Sequence, residues 1–108
     1  MAISPDTLSD AVNEFLVYQE NVKNLSLNTI KGYRNDLDKL CDFLDGQRPL
    51  NSVTKEDLRF CIGELSKLKA SPASINRFIA AFRSMFAYCR RFEYISINPA
   101  SEITTVKQ

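Results

Sequence analysis

The sequence predicts an all-α bundle of four helices. Three observations carry this reading. Apolar residues recur at i, i+3, i+4 and i+7 in four separate segments, and no segment shows sustained apolar–polar alternation. Glycine and proline are scarce, 3 and 4 of 108 residues, too few for the turns of an all-β fold. A hydrophobic fraction of 44% with 25% charged residues suits one globular domain of ordinary size.

The first helix is expected to open at Ser4, with Pro5 at the first helical position, and to run to Val22 on a stripe of Leu8, Ala11, Val12, Phe15, Leu16, Tyr18 and Val22. Asp6 and Asp10 suit its early turns, where the helix dipole favours negative charge. The second runs from Ser26 or Asn28 to Leu44, with Ile30, Tyr33, Leu37, Leu40, Cys41 and Leu44 on its stripe and Asp45-Gly46 as its stop. The third begins at Thr54, which can cap reciprocally with Asp57, and ends at Leu68; Val53 and Leu58 stand where a hydrophobic staple would fix its entry. The fourth begins at Ser71-Pro72, cap then proline, and carries Ile75, Phe78, Ile79, Phe82, Phe86 and Cys89 on the way to Phe92. The core is expected to centre on Leu37, Leu40, Leu65, Ile75, Ile79, Phe82 and Phe86. Asn98-Pro99 breaks any helix, and no apolar stripe follows, so residues 98–108 read as a linker leaving a domain of residues 1–97.

Composition excludes several kinds of chemistry. With no histidine there is no Ser-His or Cys-His nucleophile pair and no imidazole acid or base. Cys41, Cys61 and Cys89 are widely spaced on helical stripes and read as small buried hydrophobes rather than ligands, so neither a metal nor a cofactor is expected. Met1-Ala2-Ile3-Ser4-Pro5-Asp6 lacks the basic end and apolar stretch of a signal peptide. The longest apolar run, Phe78 to Phe82, is far short of the ~20 residues that span a bilayer. These features predict a soluble, cytoplasmic binding module without a membrane partner.

The formal net charge of +1 hides an asymmetry. Residues 1–26 hold Asp6, Asp10, Glu14 and Glu20 against Lys23 alone, whereas residues 71–108 hold Arg77, Arg83, Arg90, Arg91 and Lys107 against Glu93 and Glu102. No acid occurs between Glu64 and Glu93. On the fourth helix Ala73, Arg77, Ala80, Ser84, Ala87 and Arg91 form one line away from the apolar stripe. Small residues between arginines admit a phosphate backbone, and Ser71 and Ser74 with free N–H groups suit an anion at the helix start. On the second helix Asn28, Lys31, Gly32, Asn35 and Lys39 lie opposite the stripe, with Thr29 and Arg34 at its margins; Asp36, Asp38 and Asp42 confine any anion to its first half. Gly32, costly inside a helix, calls for tight packing or the close approach of a ligand. The competing reading of both faces is simple solvation.

The run Leu25-Ser26-Leu27-Asn28-Thr29-Ile30, then Tyr33, Asp36-Leu37 and Phe43-Leu44, resembles the N-terminal core-binding domain of tyrosine recombinases, the phage-integrase and Xer-type enzymes. The likeness continues through Val53-Thr54-Lys55-Glu56-Asp57-Leu58, Ser74-Ile75-Asn76-Arg77 and Ala81-Phe82-Arg83-Ser84-Met85-Phe86 to Ile97-Asn98-Pro99-Ala100. It implies an orthogonal, SAM-like four-helix bundle that clamps duplex DNA while a separate C-terminal catalytic domain cuts it, with assembly of several copies on DNA. It implies no strand cleavage by this chain, and Tyr18, Tyr33, Tyr88 and Tyr94 are not read as the nucleophile. The second and fourth helices would approach the major groove. Asn28, Thr29, Lys31, Ser71, Ser74, Asn76, Arg77 and Ser84 are the expected contacts, chiefly to phosphate, with Asn76 and Arg77 suited to adenine and guanine edges and Arg77 the main anchor. Arg48, in the loop before the third helix, lies off that face.

Two rivals separate from this reading. A helix-turn-helix regulator would need a tight glycine-containing turn leading into a basic recognition helix, which is missing. A helical protein–protein adaptor would pack a partner helix on the Ala73/Ala80/Ala87 face, with little dependence on salt.

Overall fold

In a computed structural model that describes residues 4–106, the chain forms α1 (Leu8–Asn21), α2 (Leu27–Leu44), α3 (Lys55–Lys67) and α4 (Pro72–Arg91), with a single 3-10 turn at Leu50–Ser52. Among the described residues the only β pairing is an isolated bridge between Thr7 and Pro49. α2 and α4 each pack against all three other helices, so these two form the centre of the bundle. Leu37, Leu40, Leu65, Ile75, Ile79, Phe82 and Phe86 are all buried, as their stripes predict. α4 contributes most, burying Ile75, Phe78, Ile79, Ala81, Phe82, Met85, Phe86, Tyr88 and Cys89. Among the described residues no helix is long and apolar enough to cross a membrane.

Local chemistry explains where the helices begin. Thr54 and Asp57 form the reciprocal cap expected for α3, and Ser71 with Pro72 opens α4. α1 departs from expectation. It starts at Leu8 behind a Thr7–Asp10 capping box, not at Ser4-Pro5. The cause is tertiary: Leu8 N–H donates to the Arg48 carbonyl at 3.0 Å and Leu50 N–H to the Asp6 carbonyl at 2.9 Å, which holds the chain before Leu8 extended.

The helices end without glycine in the left-handed position. Asn24, Asp45, Lys69 and Glu93, one just past each helix, have φ between 53° and 71°. At the end of α2 it is therefore Asp45 that turns the chain. Gly46 serves packing instead, because a Cβ there would collide with Ser9 Oγ and press on Cys41.

Residues 98–106, expected to lead out of the domain, lie on the bundle instead. Asn98 Oδ1 accepts from the Ala100 N–H at 2.8 Å, and the resulting turn places Ala100 and Ile103 in the core at 1% and 4% exposure. Lys55 Nζ meets Glu102 at 3.1 Å. Two apolar residues three apart are too few to register as a stripe, yet enough to seat a short segment.

Cys61 and Cys89 are buried and Cys41 is half-buried, all three as free thiols. Burial pushes the Cys61 and Cys89 thiols up to about 12, and raises Cys41 despite the Ser9 hydroxyl beside it.

Candidate nucleic-acid interface

The start of α2 is built by Ser26. Its Oγ accepts the Thr29 N–H at 3.2 Å and lies 3.0 Å from the Thr29 hydroxyl, so Thr29 is part of the cap. Asn28 and Lys31 stand exposed beside it. The start of α4 repeats the design: Ser71 Oγ accepts the Ser74 N–H and donates to Ser74 Oγ, both at 3.1 Å. Ser71 is exposed, and Ser74 and Ser84 are half-buried.

Arg77 joins the two helices. Its Nε donates to Asp36 Oδ2 at 3.0 Å and its Nη2 to Oδ1 at 3.2 Å, a two-pronged pair with a carboxylate that is only 2% exposed. Lys39 Nζ stands 4.0 Å from the same carboxylate. The Asp36 hydrogen bond, then its charge, raises the affinity of the guanidinium for its proton. Half of the Arg77 side chain remains exposed (56%), and three of its five N–H donors are left for an external acceptor. Arg77 is therefore first a link between α2 and α4, and only with its outer edge a free cation.

The sequence groups Asp36 with Asp38 and Asp42 as acids that keep an anion from the second half of α2, without marking it as buried. The signal that places it inside is its position, three residues after Tyr33 and four before Leu40, on the edge of the buried stripe.

Asn76 is spoken for as well. Its Nδ2 donates to the Val106 carbonyl at 3.0 Å and its Oδ1 accepts the Val106 N–H at 2.8 Å. An amide paired in this way with the N–H and C=O of one residue does not present the same two atoms to adenine, so both atoms expected to read a base are engaged internally. Arg48 is likewise structural: it donates to Ser52 Oγ, the Ser52 carbonyl and Asp57 Oδ2 at 3.0 to 3.1 Å.

On the outer face of α4 the expected line is exposed except at Ser84, and Arg83 and Arg90 stand exposed beside it. Ala73, Arg77, Ala80, Arg83, Ala87, Arg90 and Arg91 are exposed. At about 100° per residue the three alanines lie in the middle, with Arg83 and Arg90 on one side and Arg77, Ser84 and Arg91 on the other. Arg83, Arg90 and Arg91 have no carboxylate within ion-pair distance among the described residues. Arg91 leans over the Phe92 ring at 5.6 Å. On α2, Gly32 sits one turn before Asp36, and a Cβ there would meet nothing within 4 Å. Tight internal packing therefore does not explain this glycine.

The sequence of this bundle matches a known domain family. Residues 12–93 fit the family model described as phage integrase, N-terminal SAM-like domain. The chain belongs to this family. Among curated proteins, tyrosine recombinase XerC of Treponema denticola is 31% identical over 102 residues, which is 93% of this chain and 33% of that protein. Tyrosine recombinase XerD of Listeria innocua is 33% identical over 104 residues, 94% of this chain and 35% of that protein. The chain thus spans about a third of the length of these relatives. The solution NMR structure of an integrase-like domain from Bacillus cereus shares the fold, with a TM-score of 0.85 at 16% identity, covering all of this chain and 90% of that one. The match begins inside α1 and ends just past α4, so it takes in both α2 and α4.

Proposed function

We propose that this chain is the DNA-binding N-terminal module of a site-specific tyrosine recombinase or integrase, clamping duplex DNA for recombination by a separate catalytic domain of the parent protein. The observation that carries the proposal is the outer face of α4, an acid-free surface of arginines around alanines, pinned to α2 by the Asp36–Arg77 pair. Lys31 and Asn28 extend that face along α2, and Ser71, Ser74, Thr29 and Ser84 sit where hydroxyls and helix N-termini suit phosphate. In this reading strand cleavage belongs to the catalytic domain of the parent protein, and this chain holds the DNA for it.

Salt tests the reading. At a net charge of +1 the isolated domain should bind duplex weakly, roughly 10⁻⁴–10⁻⁶ M at physiological salt, with log K falling linearly against log salt. Arg83→Ala on the α4 face should flatten that slope by about 0.9, the share of one phosphate contact. Arg59→Ala on α3 should leave it unchanged. Fluorescence anisotropy of a labelled duplex at several salt concentrations decides this. Binding that ignores salt, or that responds to Arg59 and not Arg83, contradicts the proposal; salt-insensitive association with a helical protein would instead support an adaptor.

A further inference from the structure

We propose that Asn76 is a positioning residue whose side-chain amide fastens residues 98–106 to α4, so that the chain is held to the bundle as far as Val106 rather than only as far as Asn98. The fastening is argued from this structure alone. Its role in aiming a following catalytic domain rests on the function proposed above.

The segment has three points of attachment. The Asn98 turn drives Ala100 and Ile103 into the core, Lys55 holds Glu102 at 3.1 Å, and Asn76 closes both of its amide atoms on the backbone N–H and C=O of Val106 at 2.8 and 3.0 Å. The last attachment is of a different kind. Ala100 and Ile103 bind by burial, which is non-directional, whereas an amide paired with one residue's N–H and C=O fixes register and direction as a neighbouring strand would. Val106 also packs against the core cluster, so the fastened residue is seated as well as hydrogen-bonded.

The consequence is geometric. A chain released at Asn98 could sweep roughly 25–30 Å further than one released at Val106, at about 3.3–3.6 Å per extended residue. Fastening removes that slack. It also makes α4, which carries the candidate DNA face one residue away at Arg77, the element from which the chain departs. Whatever follows is then oriented by the same helix that meets the duplex.

Amide hydrogen exchange followed by NMR on the 108-residue chain tests the fastening without DNA. The Val106 N–H should be protected in the parent protein. Asn76→Ala should speed its exchange by about tenfold or more, with a smaller change at Ile103 and none at Phe82 or Phe86 in the helix core. Asn76→Asp, which keeps the acceptor but loses the donor, should fall between the two. Val106→Pro removes the N–H that Asn76 Oδ1 accepts but keeps the carbonyl to which Nδ2 donates, so the surviving bond loses its companion and the Asn76 side-chain NH₂ should exchange faster than in the parent. This variant lies outside the four helices and decides the matter if Asn76→Ala does not fold. A Val106 N–H that exchanges at the free-chain rate in the parent overturns the proposal, as does one indifferent to Asn76→Ala. Duplex titration of Asn76→Ala forms a separate arm. Unchanged affinity supports the fastening role, while a loss confined to certain duplex sequences, with Val106 still protected, would return Asn76 to base reading. Failure of all DNA binding would refute the functional proposal and leave the exchange result standing.

Discussion

Asp36 and Arg77 show how one pair can join two helices and still leave half of a guanidinium side chain exposed. The carboxylate is buried and the guanidinium half-exposed, so removing either partner has unequal effects. Arg77→Ala strands a buried carboxylate with only Lys39 at 4.0 Å, and should destabilise the fold by about 1–3 kcal/mol in a denaturant titration. A DNA-binding loss in that variant is interpretable only beside a stability measurement, which is why Arg83 is the cleaner probe of the face. Phe82, fully buried in the heart of α4, should cost about 3–5 kcal/mol on truncation to alanine, read by the same titration. The thiols make a pH prediction. Cys61 and Cys89 ionise near 9.0 when exposed and only at about 12 when folded, so the folded state holds more protons between those values. Stability contributed by the buried thiols is complete below pH 9.0 and falls as pH rises toward about 12. Alkaline unfolding monitored by circular dichroism, beside Cys61→Ala and Cys89→Ala, checks the sign.

At the scale of elements, the helices were legible because their signals are local. The Thr54–Asp57 box, the Ser71-Pro72 start and the stripes of α2 to α4 depend on residues within one or two turns. The start of α1 was not legible for the converse reason. Ser4-Pro5 has the same grammar as Ser71-Pro72, but the backbone around it pairs with residues 48–50, more than forty positions away. Thr7→Ala should therefore cost about 0.5–2 kcal/mol, as loss of a helix cap does, while Ser4→Ala should be neutral in thermal unfolding. The tail was misread on the same grounds, since Asn76 and Val106 are thirty residues apart and neither announces the other. Of the candidate site, exposure of the α4 line followed from helical spacing. The partners of Arg77 and Asn76 did not, because which polar group a half-buried side chain meets is settled by how the helices cross.

Over the whole molecule, charge is segregated and not abundant. α1 carries acids, α4 carries arginines, and a formal charge of +1 makes the binding depend on where the cations stand. The fold serves that placement by putting α2 and α4 at its centre and locking them with the buried Asp36 carboxylate, so the two candidate surfaces move as one. The central claim is that this joint face meets duplex DNA, and backbone amide NMR during titration with a short duplex tests it most directly. The account predicts shifts along α2 from Asn28 to Asn35 and at Ala73, Arg77, Ala80, Arg83, Ser84, Ala87 and Arg91 of α4, diminishing as salt is raised. Shifts confined to α1 and α3, with these positions unmoved, would contradict it.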